Sequence, residues 1–163
     1  MSDPRSPVFE KLRALGIHYD LYEHPPVFTA EEAEAHWKSV PGKPVKNLFL
    51  RNKKGDRHYL VILGIEKQAD LRHLVKVIGD DRLSFGSPER LMKYLGVAPG
   101  SVSPLGLIND TAHAVRVIVD SDLRAADRLI FHPNDNTASL TIGGADFQRF
   151  LAEQGNTVRW VSL

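Results

Sequence analysis

Two apolar runs, Lys46 to Arg51 and Arg57 to Gly64, flank the segment Asn52-Lys53-Lys54-Gly55-Asp56. Both the length and the composition of that segment read as the turn of an antiparallel hairpin. Cations crowd around it. From His36 to His58 seven residues are Lys or Arg (Lys38, Lys43, Lys46, Arg51, Lys53, Lys54 and Arg57) against Asp56 alone, so the window carries +6 in a chain whose net charge is +1. Charge is therefore segregated along the chain. The near-neutral total argues against an indiscriminate polyanion binder, while the local excess allows a directed contact with phosphates.

The rest of the chain alternates short helical and extended patterns. Ser6 is positioned to cap a helix with Pro7 at its first turn and Phe9, Leu12 and Leu15 on one face, stopped by Gly16. His18 to His24 alternates and runs into Pro25-Pro26 as a short strand. Thr29 with Glu32 forms a capping box for a helix to about Trp37. Asp70 to Ile78 and Ser87 to Leu95 read as helices, the second stopped by Gly96, and Val97 to Leu107 as a Gly/Pro/Ser loop. Strands are expected at 114–119, 128–131, 139–142 and 158–161, with a helix from Ala145 to Gln154. The elements lack the regular strand–helix alternation of a doubly wound fold. The expected class is α+β, or an irregular α/β: a mixed β-sheet with flanking helices in a single domain over residues 1–163.

Composition excludes several chemistries. The chain has no cysteine, hence no disulfide framework and no thiolate nucleophile or metal ligand, which fits a reducing cytoplasm. No apolar run approaches the ~20 residues that span a bilayer, and the amino terminus lacks a secretory layout. The seven histidines are widely spaced with no H-x-x-x-H, so no metal is expected, and no cofactor.

Three stretches carry candidate chemistry. Lys46 stands at the head of an apolar strand beside Asn47, where a cation faces a ligand anion or is merely solvated. Gly100-Ser101-Val102-Ser103-Pro104-Leu105-Gly106 allows close backbone approach and free N–H donors, or is a plain connector; it is neither a Walker loop nor a dinucleotide fingerprint. Phe131-His132-Pro133-Asn134-Asp135-Asn136-Thr137-Ala138-Ser139 delivers a histidine to a polar turn between two strands, a site or only a good turn.

Together with His24-Pro25-Pro26-Val27-Phe28-Thr29, and in this order and spacing, Lys46-Asn47-Leu48-Phe49-Leu50, Gly100-Ser101-Val102-Ser103-Pro104, the His132-Pro133 turn and Thr137-Ala138-Ser139 resemble the prolyl-tRNA editing domain family of the YbaK/ProX type. The resemblance spans about residue 7 to 161 and implies a free-standing member with a mixed sheet and surrounding helices. It implies hydrolysis of the ester between a wrong amino acid and the terminal adenosine of proline tRNA. The Lys46–Leu50 and His24–Thr29 segments look most like the alanine-removing sub-type; a cysteine-removing enzyme is the alternative. Partners implied are the acceptor end of mischarged proline tRNA and prolyl-tRNA synthetase, with a monomer as the default.

On that resemblance Lys46 is the functional lysine near phosphate and ester. The N–H groups of Gly100, Ser101 and Val102 are expected to receive the carbonyl oxygen, and His132 to position the adenosine or a water. Asn47, Ser103, Pro104, Asn136, Thr137 and Ser139 are expected substrate contacts along with Thr29, and Val27, Phe28 and Phe49 a size-limiting wall. Two other classes stay open: a tRNA-binding adaptor without turnover, and a serine hydrolase acting through Ser101 or Ser103.

Overall fold

A computed structural model describes residues 3–26 and 30–163. Its centre is the hairpin. Strand β2 (Lys43–Arg51) pairs antiparallel with β3 (His58–Gly64) from Val45↔Gly64 to Arg51↔His58. Asn52 holds the turn: its Oδ1 accepts from the N–H groups of Gly55, Asp56 and Arg57 at 2.9, 3.1 and 3.2 Å. Gly55 takes φ +74°, a conformation that favours glycine. Every residue of β3 is buried, as expected of a central strand covered on both faces.

Around the hairpin lie β1 (Tyr19–Glu23), β4 (Ser84–Phe85), β5 (Val115–Asp120), β6 (Arg128–Phe131), β7 (Ala138–Gly143) and β8 (Val158–Val161). The order is β1-β7-β6-β2-β3-β5-β8, with β4 a short extra partner of β2. The β2/β6, β3/β5 and β5/β8 pairs are parallel and the others antiparallel, so the sheet is mixed, as expected. β2 belongs to both halves. Lys43 and Pro44 pair with Leu129 and Ile130 of β6, and Leu50 and Arg51 pair with Phe85 and Ser84 of β4. Between those contacts, along residues 45–49, neither strand is paired with that edge of β2.

Among the described residues five α-helices flank the sheet: α1 (Ser6–Ala14), α2 (Ala30–Trp37), α3 (Leu71–Ile78), α4 (Pro88–Leu95) and α5 (Gly144–Gln154). None is long and apolar enough to cross a membrane among the described residues. The main core joins Val8 and Leu12 of α1, Leu91 and Leu95 of α4, and Phe147 and Phe150 of α5 to one face of the sheet. A second cluster on the other face packs Leu74 of α3 against Leu50, Tyr59, Val61, Leu63 and Ile118. Burial of such side chains, at roughly 1.5–3 kcal/mol each, is what holds the layers together.

Several boundaries differ from the sequence expectation, each for a local reason. Arg5, not Ser6, is the residue before α1, because a turn at Asp3 accepts the N–H of both Arg5 and Ser6 and starts the helix earlier. β2 begins at Lys43, three residues early, since β6 supplies a partner there. The segment read as a loop to Leu107 contains a 3-10 turn, Pro104–Asn109, capped by the Ser103 hydroxyl accepting from Leu105 N–H at 3.2 Å. β4 and the 3-10 turn Ser121–Ala125 were not anticipated, being too short to show a period. The Thr29 cap lies outside the described residues, although the helix it was expected to open is present.

His58 sits under the hairpin turn, 2 % exposed, with its ring stacked on Phe49 and its Nε2 2.9 Å from Arg90 Nη1. A guanidinium only donates, so Nε2 holds the lone pair and the ring is neutral. Burial first, then the nearby Arg90, Arg51 and Lys93, push its pKa down to about 4 from 6.5. Between those values the unfolded chain binds a proton that the folded one refuses. Stability is complete above pH 6.5 and declines as the pH falls towards 4, by on the order of 3 kcal/mol when fully developed. Urea titrations of His58→Gln, which keeps an acceptor for Arg90, should lose stability less steeply over this window than wild type; parallel losses would contradict the assignment.

Candidate active site

Strand alternation sorts the sheet residues into two faces. Val45 and Phe49 of β2, Leu129 and Phe131 of β6, and Leu140 and Ile142 of β7 all enter the main core. Lys46, Ile130, Ser139 and Thr141 therefore share the opposite face, where Leu48 and Leu50 further along β2 meet α3. Gly42 closes on Ile130, such that a Cβ there would stand 3.1 Å from Cγ1. Lys46, half-buried just past the β2/β6 pairing, marks the candidate cleft on this face.

The cations of the +6 window divide by partner. Lys43 pairs with Glu66 at 3.0 Å and Arg57 with Asp80 at 3.5 Å. Arg51 donates to the carbonyls of Asn52 and Lys53 at the hairpin turn. Lys38, Lys53 and Lys54 are exposed. Lys46 alone of the seven is half-buried and has neither ion pair nor hydrogen bond among the described residues. A cation held by a sheet without a counter-charge is poised for an anion supplied from outside.

His132 directly follows β6, the strand whose Leu129 and Ile130 pair with Lys43 and Pro44 of β2. Its Nδ1 is 3.2 Å from the carbonyl of Ala138, and a carbonyl only accepts, so Nδ1 carries the proton. In the neutral ring Nε2 then presents a lone pair. Desolvation by burial lowers the pKa below 6.5 against the opposing pull of that carbonyl, and nearby His24 adds to the lowering. His24 itself follows β1. Its Nδ1 lies 2.8 Å from the Pro25 carbonyl, to which it donates, and its Nε2 3.0 Å from Ser139 Oγ, whose buried hydroxyl donates to Nε2 in the neutral ring. His36 of α2 stacks on the His24 ring at 4.7 Å between centroids and 21° between planes.

The glycine loop closes one end. Gly100 takes φ +89°, and a Cβ there would lie 3.9 Å from Asn136 Nδ2, which brings the loop against the turn after His132. Asn47 Nδ2 donates to the Val102 carbonyl at 3.3 Å across the unpaired edge of β2, and Asn134 Nδ2 reaches the Leu105 carbonyl at 3.5 Å. The Thr137 N–H is taken by Asp135 Oδ1 at 2.9 Å, and the Thr137 carbonyl accepts from His24 N–H at 2.9 Å.

Of the anticipated residues, the Gly100 loop meets Asn136, the 137–139 segment meets His132 and His24, and Lys46 shares the sheet face of Ser139. Three corrections follow. The Ser101 N–H donates to the Ala98 carbonyl at 3.1 Å and is not free as an oxyanion donor; those of Gly100 and Val102 have no such acceptor among the described residues. Phe49 is 4 % exposed, on the face away from Lys46, packed under Gly86 and against His58 and Tyr94, so it forms core and not a pocket wall. Ser101 and Ser103 are buried, and the Ser103 hydroxyl caps the 3-10 turn; the hydroxyl that meets a histidine is Ser139. Val27, Phe28 and Thr29 lie outside the described residues. Sequence reasoning missed His24, His36 and Asn134 as site residues. Asn134 is buried at φ +64° with Oδ1 unpartnered, and the Asn-Asp-Asn turn was its signal.

Residues 24–150 match the model of the aminoacyl-tRNA editing domain. The prolyl-tRNA editing protein ProX of Acetoanaerobium sticklandii is 40% identical over 161 residues, covering 99% of this chain and 98% of that protein. The prolyl-tRNA synthetase associated domain-containing protein 1 of Danio rerio is 35% identical, covering 95% and 85%. Among solved structures, a candidate trans-editing enzyme for prolyl tRNA synthetase superimposes with a TM-score of 0.74 at 24% identity, covering 100% of this chain and 99% of that one.

The hydrogen-bond geometry fixes an observable state for His132. Nitrogen NMR of the labelled ring should report the Nδ1–H tautomer at pH 7 and a titration midpoint below 6.5. An Nε2–H tautomer, or a midpoint at or above 6.5, would show that the ring is not held in this way.

Proposed function

The chain belongs to the aminoacyl-tRNA editing domain family, and from that premise we propose that it hydrolyses alanine from mischarged proline tRNA while sparing the prolyl ester. Its enzymatic class is aminoacyl-tRNA deacylase of the prolyl-tRNA editing kind. The observation that carries the reading is Lys46, a half-buried cation with no ion pair or hydrogen bond among the described residues, on the sheet face that Ser139 shares.

The chemical need is plain. A proline site cannot strongly exclude a smaller amino acid, because a missing methylene is worth only ~1–3 kcal/mol. A second site that admits the small side chain and rejects proline by size completes the discrimination. The residues named for a size wall are Val27 and Phe28, Phe49 having gone to the core.

An aminoacyl ester is already activated, so positioning and charge stabilisation suffice without a protein nucleophile. Water adds to the ester carbonyl, and negative charge develops on its oxygen, which the N–H groups of Gly100 and Val102 receive. Lys46 holds the terminal phosphate or stabilises the same charge. His132 accepts through Nε2 from the water or from the neighbouring ribose hydroxyl. The bond between carbonyl carbon and ribose oxygen then breaks, the ribose oxygen takes a proton, and alanine leaves as the free acid. Asn47, Asn136, Thr137 and Ser139 keep loop and turn in register; Ser103 and Pro104 shape the loop. The acceptor end of the tRNA is the partner, and the exposed cations of the hairpin add salt-dependent affinity without reading sequence. Docking on prolyl-tRNA synthetase and a monomeric state complete the reading.

Deacylation of alanyl-, cysteinyl- and prolyl-tRNA for proline tests it. Alanine should be lost fast, cysteine and proline slowly, and Lys46→Ala should reduce the rate at least about 100-fold, the cost of removing one stabiliser of developing charge. Lys53→Ala should change it by less than about 2-fold, as expected of a solvated lysine. Loss of cysteine instead of alanine would reassign the sub-type. Binding of tRNA with no ester turnover would make the protein an adaptor.

A further inference from the structure

The His24–His36 stack is not used by the chemistry above. Both ring nitrogens of His24 are engaged in the ring plane, Nδ1 by the Pro25 carbonyl and Nε2 by Ser139 Oγ. Its edges are closed to a ligand and only its faces remain. His36 lies along one of them, 4.7 Å away and 21° from parallel, carried on α2 and itself half-buried. No hydrogen bond to the His36 ring is present among the described residues, so what holds its ring is the stack.

The pair is part of the cleft. Ser139, which anchors His24, is the neighbour of Ala138, whose carbonyl orients His132, and His24 is close enough to His132 to lower its pKa. The same sheet face thus carries two kinds of recognition: a cation at Lys46 with no partner among the described residues, and a flat, half-exposed aromatic surface anchored on Ser139. That combination suits a nucleotide, whose phosphate is anionic and whose base has a π-face; histidine is one of the side chains on which unstacked bases lie.

We propose that the His24–His36 stack is the platform for the terminal adenine of the tRNA. The inference rests on the deacylase reading, which supplies the substrate. In such a substrate the adenine and the ester share one ribose, so the base must lodge within a nucleotide's reach of the reacting carbonyl. His24, clamped through both nitrogens, is the fixed member. His36 extends the surface from α2. Stacking needs no base-edge hydrogen bonds, and none is required, because every tRNA ends in the same base.

The decisive variant is His36→Ala, which removes half of the platform, touches no hydrogen bond of the described fold and leaves a good helix former in α2. The probe is uncharged proline tRNA with 2-aminopurine in place of its terminal adenine. Its fluorescence should be quenched on saturation with wild type and with His36→Phe, which restores a stacking ring. With His36→Ala the tRNA should still bind through its phosphates but the quenching should be lost. In deacylation assays His36→Ala should raise KM between about 5- and 100-fold, the range that base–aromatic stacking spans, with kcat within about 2-fold. His36→Phe should return KM to within about 3-fold of wild type.

Quenching by His36→Ala equal to that of wild type overturns the platform. So does a loss in kcat with KM and quenching unchanged, which would make the stack a support for catalysis or packing. Quenching that follows the expected pattern without cleavage of any aminoacyl ester would retain the platform and refute the deacylase reading.

Discussion

Everything in this molecule hangs on the double membership of β2. One strand pairs with β3 along its whole inner edge and touches β6 and β4 only at the two ends of its outer edge. The seven-residue register with β3 makes β2 rigid, and the buried β3 anchors it to the core. The outer edge is consequently free to open between residues 45 and 49 without loss of the sheet. Asn47 crosses that opening to the Val102 carbonyl, which is how the glycine loop is brought to the strand that bears Lys46.

Alternation along the same strand then separates structure from chemistry. Odd-numbered Val45 and Phe49 enter the main core, while Lys46 faces the cleft and Leu48 and Leu50 take the contact with α3. A slip of one residue would exchange the two sets, burying the ammonium and exposing phenyl. The Asn52 clamp and the Arg51 and Arg90 bonds to turn carbonyls hold the register from the hairpin end. The local excess of cations thus serves two ends. Part of it is structural, engaged with carbonyls and carboxylates, and part is presented to solvent.

The histidines show how environment divides one residue type. His58 is neutral because a guanidinium occupies its acceptor and burial disfavours a second charge. His132 is neutral through burial, and its tautomer is set by a carbonyl, leaving a lone pair for the cleft. His24 is fixed by a carbonyl and a hydroxyl and offers only its face. None of this is written in spacing, because the deciding partners, Arg90, Ala138 and Ser139, stand 32, 6 and 115 residues away.

What could be read from the chain alone was whatever depends on neighbours in sequence. The hairpin, the helical stripe from Asp70 to Ile78, the helix begun at Ser87 and stopped by Gly96, and the alternating strands all rest on local periodicity and capping chemistry, and they appear within a few residues of where they were expected. The family resemblance drew attention to Lys46, the glycine loop and His132 because ordered motifs survive in linear order. Tertiary structure alone decided which face each residue took and which groups were already occupied. Phe49 left the pocket because strand register placed it opposite Lys46. Ser101 lost its free N–H to a turn closed by Ala98, and His36 joined the cleft by stacking across from another element. Hydrogen-bond partners and buried faces are set by contacts between distant segments, and a linear pattern carries no record of them until the chain has folded.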